Sequence, residues 1–147
     1  MIYLDTSFIA PFYINEATSD RVETILKNLP STELTISDWT KVEFASLLAR
    51  RVRMGELARE MLERIMSAFE SDTAQTYTVL GISKADFDRA SGLILNPQTG
   101  LRAGAALHLA IAQNNTASTF LSLDKELLAI AKASGMKANS GGIYDAQ

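Results

Sequence analysis

Three carboxylates, Asp5, Glu43 and Asp124, stand where a folded chain could gather them around a hard cation. Asp5 closes the apolar run Ile2-Tyr3-Leu4, and Asp124 follows Thr119-Phe120-Leu121-Ser122-Leu123, so each comes after a candidate strand. In open parallel sheets, ligands collect beyond the carboxyl ends of the strands. Either acid could instead cap the helix that follows it. Glu43 sits in Trp39-Thr40-Lys41-Val42-Glu43-Phe44-Ala45-Ser46-Leu47-Leu48, where Trp39, Glu43 and Leu47 line one helical face at i, i+4 and i+8. A carboxylate within an apolar line needs a partner, and a metal is one such partner. The alternative is a boundary glutamate reaching outward past Trp39.

If these acids converge, electrostatics limits what they can do. Two carboxylates about 5 Å apart repel by roughly 3 kcal/mol at an effective dielectric near 20. A cluster of them therefore calls for a cation or a proton. Mg²⁺ and Mn²⁺ prefer oxygen ligands, retain water and bind phosphates, which suits activation of water at a phosphodiester. The chain has no cysteine and one histidine, so thiolate sites, disulfides and histidine-rich zinc sites are excluded.

The elements that must position these residues alternate between strand and helix. Residues 2–5 and 34–36 read as strands, as do Tyr77 to Leu80 and Thr119 to Leu123, with a short edge strand at Met136 to Ala138. Between them, a short helix after Asp5 is interrupted near Pro11, and a second runs from Thr18 to Leu29 before Pro30. Ser37 or Asp38 caps a longer helix reaching about Arg53, and Gly55 fits its end. Glu56 to Ser71 carries Leu57, Met61, Leu62, Ile65 and Phe69 at helical spacing, which makes an αα-hairpin with its predecessor. Lys84 to Leu95, the apolar Ala103 to Ala112 and a helix from Asp124 to Ala133 complete the set. This alternation predicts a parallel sheet covered on both faces.

Composition narrows the class further. With 147 residues, 47% of them hydrophobic, the chain can build a core as one domain spanning 1–147. No apolar run approaches the roughly 20 residues of a membrane span, and Met1 to Asp5 carry no basic leader, so a soluble cytoplasmic protein is expected. The net charge of −3 gives no overall attraction to nucleic acid. A local basic patch would have to supply it. Arg50-Arg51-Val52-Arg53 is the candidate, with a solvated helix end as the alternative.

Four segments together resemble the PIN domain family. They are Tyr3-Leu4-Asp5-Thr6-Ser7, Val42-Glu43-Phe44-Ala45, the run Leu101 to Ala110, and Phe120-Leu121-Ser122-Leu123-Asp124, in an order and spacing similar to the VapC toxins of toxin–antitoxin pairs. The resemblance implies a three-layer α/β/α fold with a central parallel sheet of four to five strands and an αα-hairpin. It implies an Mg²⁺- or Mn²⁺-dependent endoribonuclease that acts on RNA, forms a homodimer and is held by a VapB-like antitoxin. It would make Asp5, Glu43 and Asp124 metal-coordinating acids. Ser7 would orient Asp5 or a metal-bound water, and Ser122 would be a nearby polar support.

One position departs from the pattern. The family typically reads Arg-Ala-Gly-Asp-Ala-Leu-His-Leu-Ala, and this chain has Ala105 where the acid is expected. A gap at one position in an otherwise intact motif reads as a targeted substitution rather than gradual decay, with a natural variant as the alternative. It predicts a retained fold with weakened metal binding and little or no activity. The rival reading is a catalytically silent PIN-like interaction module. His108, one helical turn after Ala105, is expected to be a hydrogen-bonded core residue, and Trp39 and Phe44 to be packing residues. A haloacid-dehalogenase-like phosphatase would need a second aspartate where Ser7 stands, and no Gly-rich lysine loop supports a nucleotide hydrolase.

Overall fold

A computed structural model describes residues 1–145. Five parallel strands form one sheet in the order β3-β2-β1-β4-β5. These are β1 (Ile2–Leu4), β2 (Leu34–Ser37), β3 (Thr78–Leu80), β4 (Thr119–Leu121) and β5 (Ala138–Asn139). The strands are short, so most of the core comes from helices. Helices α1 (Thr6–Tyr13), α2 (Ser19–Asn28), α3 (Asp38–Arg53) and α4 (Arg59–Gln75) precede β3. Helices α5 (Lys84–Ile94), α6 (Ala103–Asn114) and α7 (Lys125–Ala133) come after it.

Strand alternation divides the core into two layers. Ile2 and Leu4 pack with Phe8, Ile9, Phe44, Leu48, Ile65 and Phe69 on the α1–α4 side. Tyr3, between them, faces the other side with Phe120, Leu109, Ile111 and Leu127. Both faces of the sheet are therefore buried, as a parallel sheet requires. Phe44 and Phe69 meet with ring centroids 4.7 Å apart and hold the α3–α4 hairpin together.

Most expected elements are present, with three revisions. Pro11 lies inside α1 and does not interrupt it. The helix ends two residues later, so the missing N–H costs only one bond near an end that frays anyway. Helix α4 begins at Arg59 rather than Glu56 and extends to Gln75, because Glu56 belongs to the turn that closes α3. There Gly55 has φ +75°, its N–H reaches Val52 O, and the Glu56 N–H reaches Arg51 O. These bonds form a Schellman cap that favours glycine. The edge strand β5 lies one to two residues beyond its expected place.

Candidate metal centre

Strands β1 and β4 are neighbours, with Leu4 in register with Leu121. Their carboxyl ends therefore present Asp5, Ser122 and Asp124 at one edge. Asp5 immediately precedes α1, yet its side chain makes no capping bond. The carboxylate is buried at 5% exposure, and Oδ2 accepts hydrogen bonds from Ser7 Oγ (2.6 Å) and Ser122 Oγ (2.8 Å). Ser7 in turn accepts the Leu123 N–H, and Ser122 accepts the Asp124 N–H. Two hydroxyls tied to the same loop thus fix Asp5 and load one oxygen. Oδ1 is left facing His108 Nε2 at 3.6 Å.

Helix α3 brings Glu43 to the same place from the side. Ser37, the residue before the helix, donates its N–H to Thr40 Oγ1 and helps fix the start of α3. Glu43 comes one turn later, half-buried. Its Oε1 accepts from Thr6 Oγ1 (2.7 Å) and from His108 Nε2 (2.5 Å). Burial pushes this carboxyl up, but the hydrogen bond and charge of His108 and the Thr6 hydroxyl outweigh it and hold it below its ordinary range. Glu43 therefore stays a carboxylate despite its setting.

His108 is 1% exposed and is held at both nitrogens. Its Nδ1 lies 2.7 Å from the Tyr3 hydroxyl, and Nε2 lies 3.0 Å from Thr6 Oγ1. Tyr3 is also fully buried, stacks on Phe120 and donates its hydroxyl to Ser37 Oγ at 2.8 Å. Burial pushes the Tyr3 phenol well up, so the hydroxyl keeps its proton. The expected hydrogen-bonded core histidine is what the structure contains. That it also meets two of the three predicted acids had no signal in spacing.

Donor atoms of Asp5, Glu43 and His108 all lie within 4.8 Å of one another. Asp124 is not in that group. It is exposed, caps α7 by accepting the Leu127 N–H at 3.1 Å, and lines the same cavity. The cavity measures about 370 Å³ and is also bounded by Ser7, Arg50 and Ala105. Ala105 opens onto it from α6 with only a methyl group, so no acid enters from that wall. Gly104, next to it, lies beneath Glu43, where a β-carbon would collide with Oε2. Trp39 packs here and donates its indole N–H to Gly104 O at 3.3 Å.

Of the basic run, Arg51 is paired with Glu16 at 2.6 Å and with Glu56 at 3.5 Å. Arg50 is exposed at the cavity mouth. Sequence reading missed Thr6, Tyr3, Ser37 and Gly104 as parts of the site. Thr6 stood only within the motif Tyr3-Leu4-Asp5-Thr6-Ser7 and Tyr3 within the first apolar run, and the packing of α6 against α3 gives them further roles.

The family model described as PIN domain matches residues 2–133. Similar solved structures include VapC20 of Mycobacterium tuberculosis, described as a sarcin–ricin loop cleaving toxin, at 17% identity. It covers 92% of this chain and 96% of its own, with a TM-score of 0.72. FitAcB from Neisseria gonorrhoeae is 16% identical, covers 97% of this chain and 99% of its own, and has a TM-score of 0.76. FitAB bound to a DNA fragment is 18% identical over 95% of this chain and 94% of its own, with a TM-score of 0.70. No curated protein matches the sequence.

Proposed function

Because this chain belongs to the PIN domain family, we propose that it is a metal-dependent endoribonuclease of the VapC toxin type, with catalysis crippled at Ala105. The observation that carries this reading is the cavity itself. Acids from β1, α3 and the β4–α7 junction line it, and the fourth wall at Ala105 has no carboxylate.

The donor set suits a hard divalent ion. Asp5 keeps Oδ1 available while both hydroxyls bind Oδ2, and Glu43 is held ionised. Asp5 and Glu43 would hold Mg²⁺ or Mn²⁺, with Asp124 contributing from the rim. A bound ion would supply an activated water and neutralise charge on the scissile phosphate. Ser7 and Ser122 orient the Asp5 carboxylate. Arg50 at the cavity mouth gives an RNA phosphate a cation in a chain of net charge −3. An aspartate at 105 would add a fourth acid and orient the attacking water. Its absence lowers repulsion in the cluster and weakens metal binding.

The same reading makes residues 1–147 one domain, cytoplasmic, paired with a second copy and held by a VapB-like antitoxin. The neighbour VapC20 is a toxin, and no helix of the described residues is long and apolar enough to cross a membrane.

The test is cleavage of RNA with Mg²⁺ or Mn²⁺, comparing the chain with its Ala105→Asp variant. Ala105→Asp should be faster by orders of magnitude. If it shows no Mn²⁺-dependent cleavage, the proposal fails. Ala105 also favours a second reading, a catalytically silent module that binds protein or RNA. In that case a metal titration would show no specific Mn²⁺ site.

A further inference from the structure

Resting on the metal reading above, we propose that His108 is itself a metal ligand, so that this chain offers an Asp5–Glu43–His108 donor set and prefers Mn²⁺ or Zn²⁺ to Mg²⁺.

The argument starts from the ring's far side. Tyr3 donates its hydroxyl proton to Ser37, so its oxygen is left to accept from His108 Nδ1. A proton held on Nδ1 leaves Nε2 as the ring atom facing Asp5 and Glu43, where a cation would take the place of the hydrogen that Nε2 shares with Glu43. Metal-ligating histidines are held in this way, with the second ring nitrogen donating to a fixed acceptor. The ring cannot turn away, because it is 1% exposed and meets Tyr3 edge-on with centroids 5.7 Å apart.

The inner side fits equally well. Nε2 lies 2.5 Å from Glu43 Oε1 and 3.6 Å from Asp5 Oδ1, and all three donors lie within 4.8 Å of one another. A cation seated among them replaces the hydrogen that joins His108 to Glu43, that proton leaving to solvent, and the Glu43 carboxylate shifts outward to make room. Helix α6 places Ala105 one turn before His108, on the same cavity. The helix that lacks the acid thus still brings a donor, but a nitrogen in place of an oxygen. Imidazole suits Zn²⁺, and Mn²⁺, though it prefers oxygen, accepts one nitrogen donor more readily than Mg²⁺, which keeps to oxygen and water.

His108 is the sole histidine in the chain, which makes the test specific to one side chain. Untagged protein is loaded with Mn²⁺ and examined by pulsed electron paramagnetic resonance, with natural and ¹⁵N-labelled histidine. A nitrogen coupling that changes isotope with the label is the expected result, with tighter binding of Mn²⁺ than of Mg²⁺ by calorimetry. Tyr3→Phe keeps the stacked ring but removes the Nδ1 acceptor, and should weaken Mn²⁺ binding about tenfold or more. Mn²⁺ binding without histidine coupling overturns the inference and leaves an all-oxygen site for the proposed nuclease. Unchanged affinity in Tyr3→Phe also counts against it. If neither the chain nor Ala105→Asp binds Mn²⁺, the metal reading itself falls, and this inference with it.

Discussion

Gly104→Ala separates the stability of the fold from the geometry of the site. Gly104 is the second residue of α6, where alanine would gain at most about 1 kcal/mol of helix propensity, and less in a first turn. Its β-carbon would lie 3.6 Å from Glu43 Cδ and 3.6 Å from Trp39 Cζ2, which is ordinary contact, but it would overlap Glu43 Oε2. Glu43 must therefore move, because the backbone of α6 cannot. Oε1 is held by Thr6 at 2.7 Å and His108 at 2.5 Å, so moving the carboxylate strains both bonds. Hydrogen bonds to charged groups contribute roughly 1.5–3 kcal/mol each. Glu43 retains 29% side-chain exposure, so water recovers part of that loss. Losing about half of it outweighs the helix gain and leaves a net destabilisation of roughly 1–2 kcal/mol. Urea unfolding measures this term. Mn²⁺ calorimetry on the same protein should show affinity falling by about tenfold or more, since the proposed ligand has been displaced. A variant that is more stable and binds Mn²⁺ unchanged would refute the placement of Glu43 over Gly104.

Three further outcomes follow from the contacts. The Glu43 carboxyl is held low in the fold, so its contribution to stability is present above the ordinary glutamate range and is lost as pH falls through the folded value. Urea midpoints measured from about pH 6 to about pH 3 should therefore fall more steeply in the chain than in Glu43→Gln, and parallel slopes would contradict this. Ser122→Ala removes a buried hydroxyl that donates to Asp5 and accepts from the Asp124 N–H, costing about 1–3 kcal/mol and weakening Mn²⁺ binding. Tyr13→Phe breaks the 2.6 Å bond to Asp72 and the 2.8 Å contact with Tyr77. It should cost about 1–2 kcal/mol of stability while leaving Mn²⁺ affinity unchanged, as calorimetry on folded protein would show.

Much of the frame was legible because it rests on periodicity. Alternating strands and helices with no membrane-length apolar run predicted a parallel sheet with two covered faces, and the five strands follow it. Gly55 marked its turn because only a positive φ closes α3 there. Pro11 misled, since its effect depends on how far the helix continues. Asp5 and Asp124 looked alike in sequence, as acids after strands. The structure distinguishes them: Asp124 caps α7, whereas Asp5 gives its oxygen to two serines. That difference was not legible, because it depends on which hydroxyls the β4 loop brings back across the sheet. The Tyr3–His108–Glu43 chain was hidden for the same reason. Its members come from a strand, a helix and another helix, and side-chain spacing within one element does not report contacts between elements.

The placement of β4 beside β1 has a consequence in time. Asp5 and Ser122 are 117 residues apart in the chain, yet they share a hydrogen bond. Loop closure over such a span is entropically costly and slow, so pairings of this kind form late relative to local helices. On a ribosome, β1 emerges first and must wait for β4 before its acid is oriented. A nascent chain interrupted before Ser122 would carry Asp5 and Glu43 without the hydroxyl that steadies the first of them. The Asp5 carboxylate is thus fully oriented only once the chain has been made through β4, and a product truncated before Ser122 lacks that support.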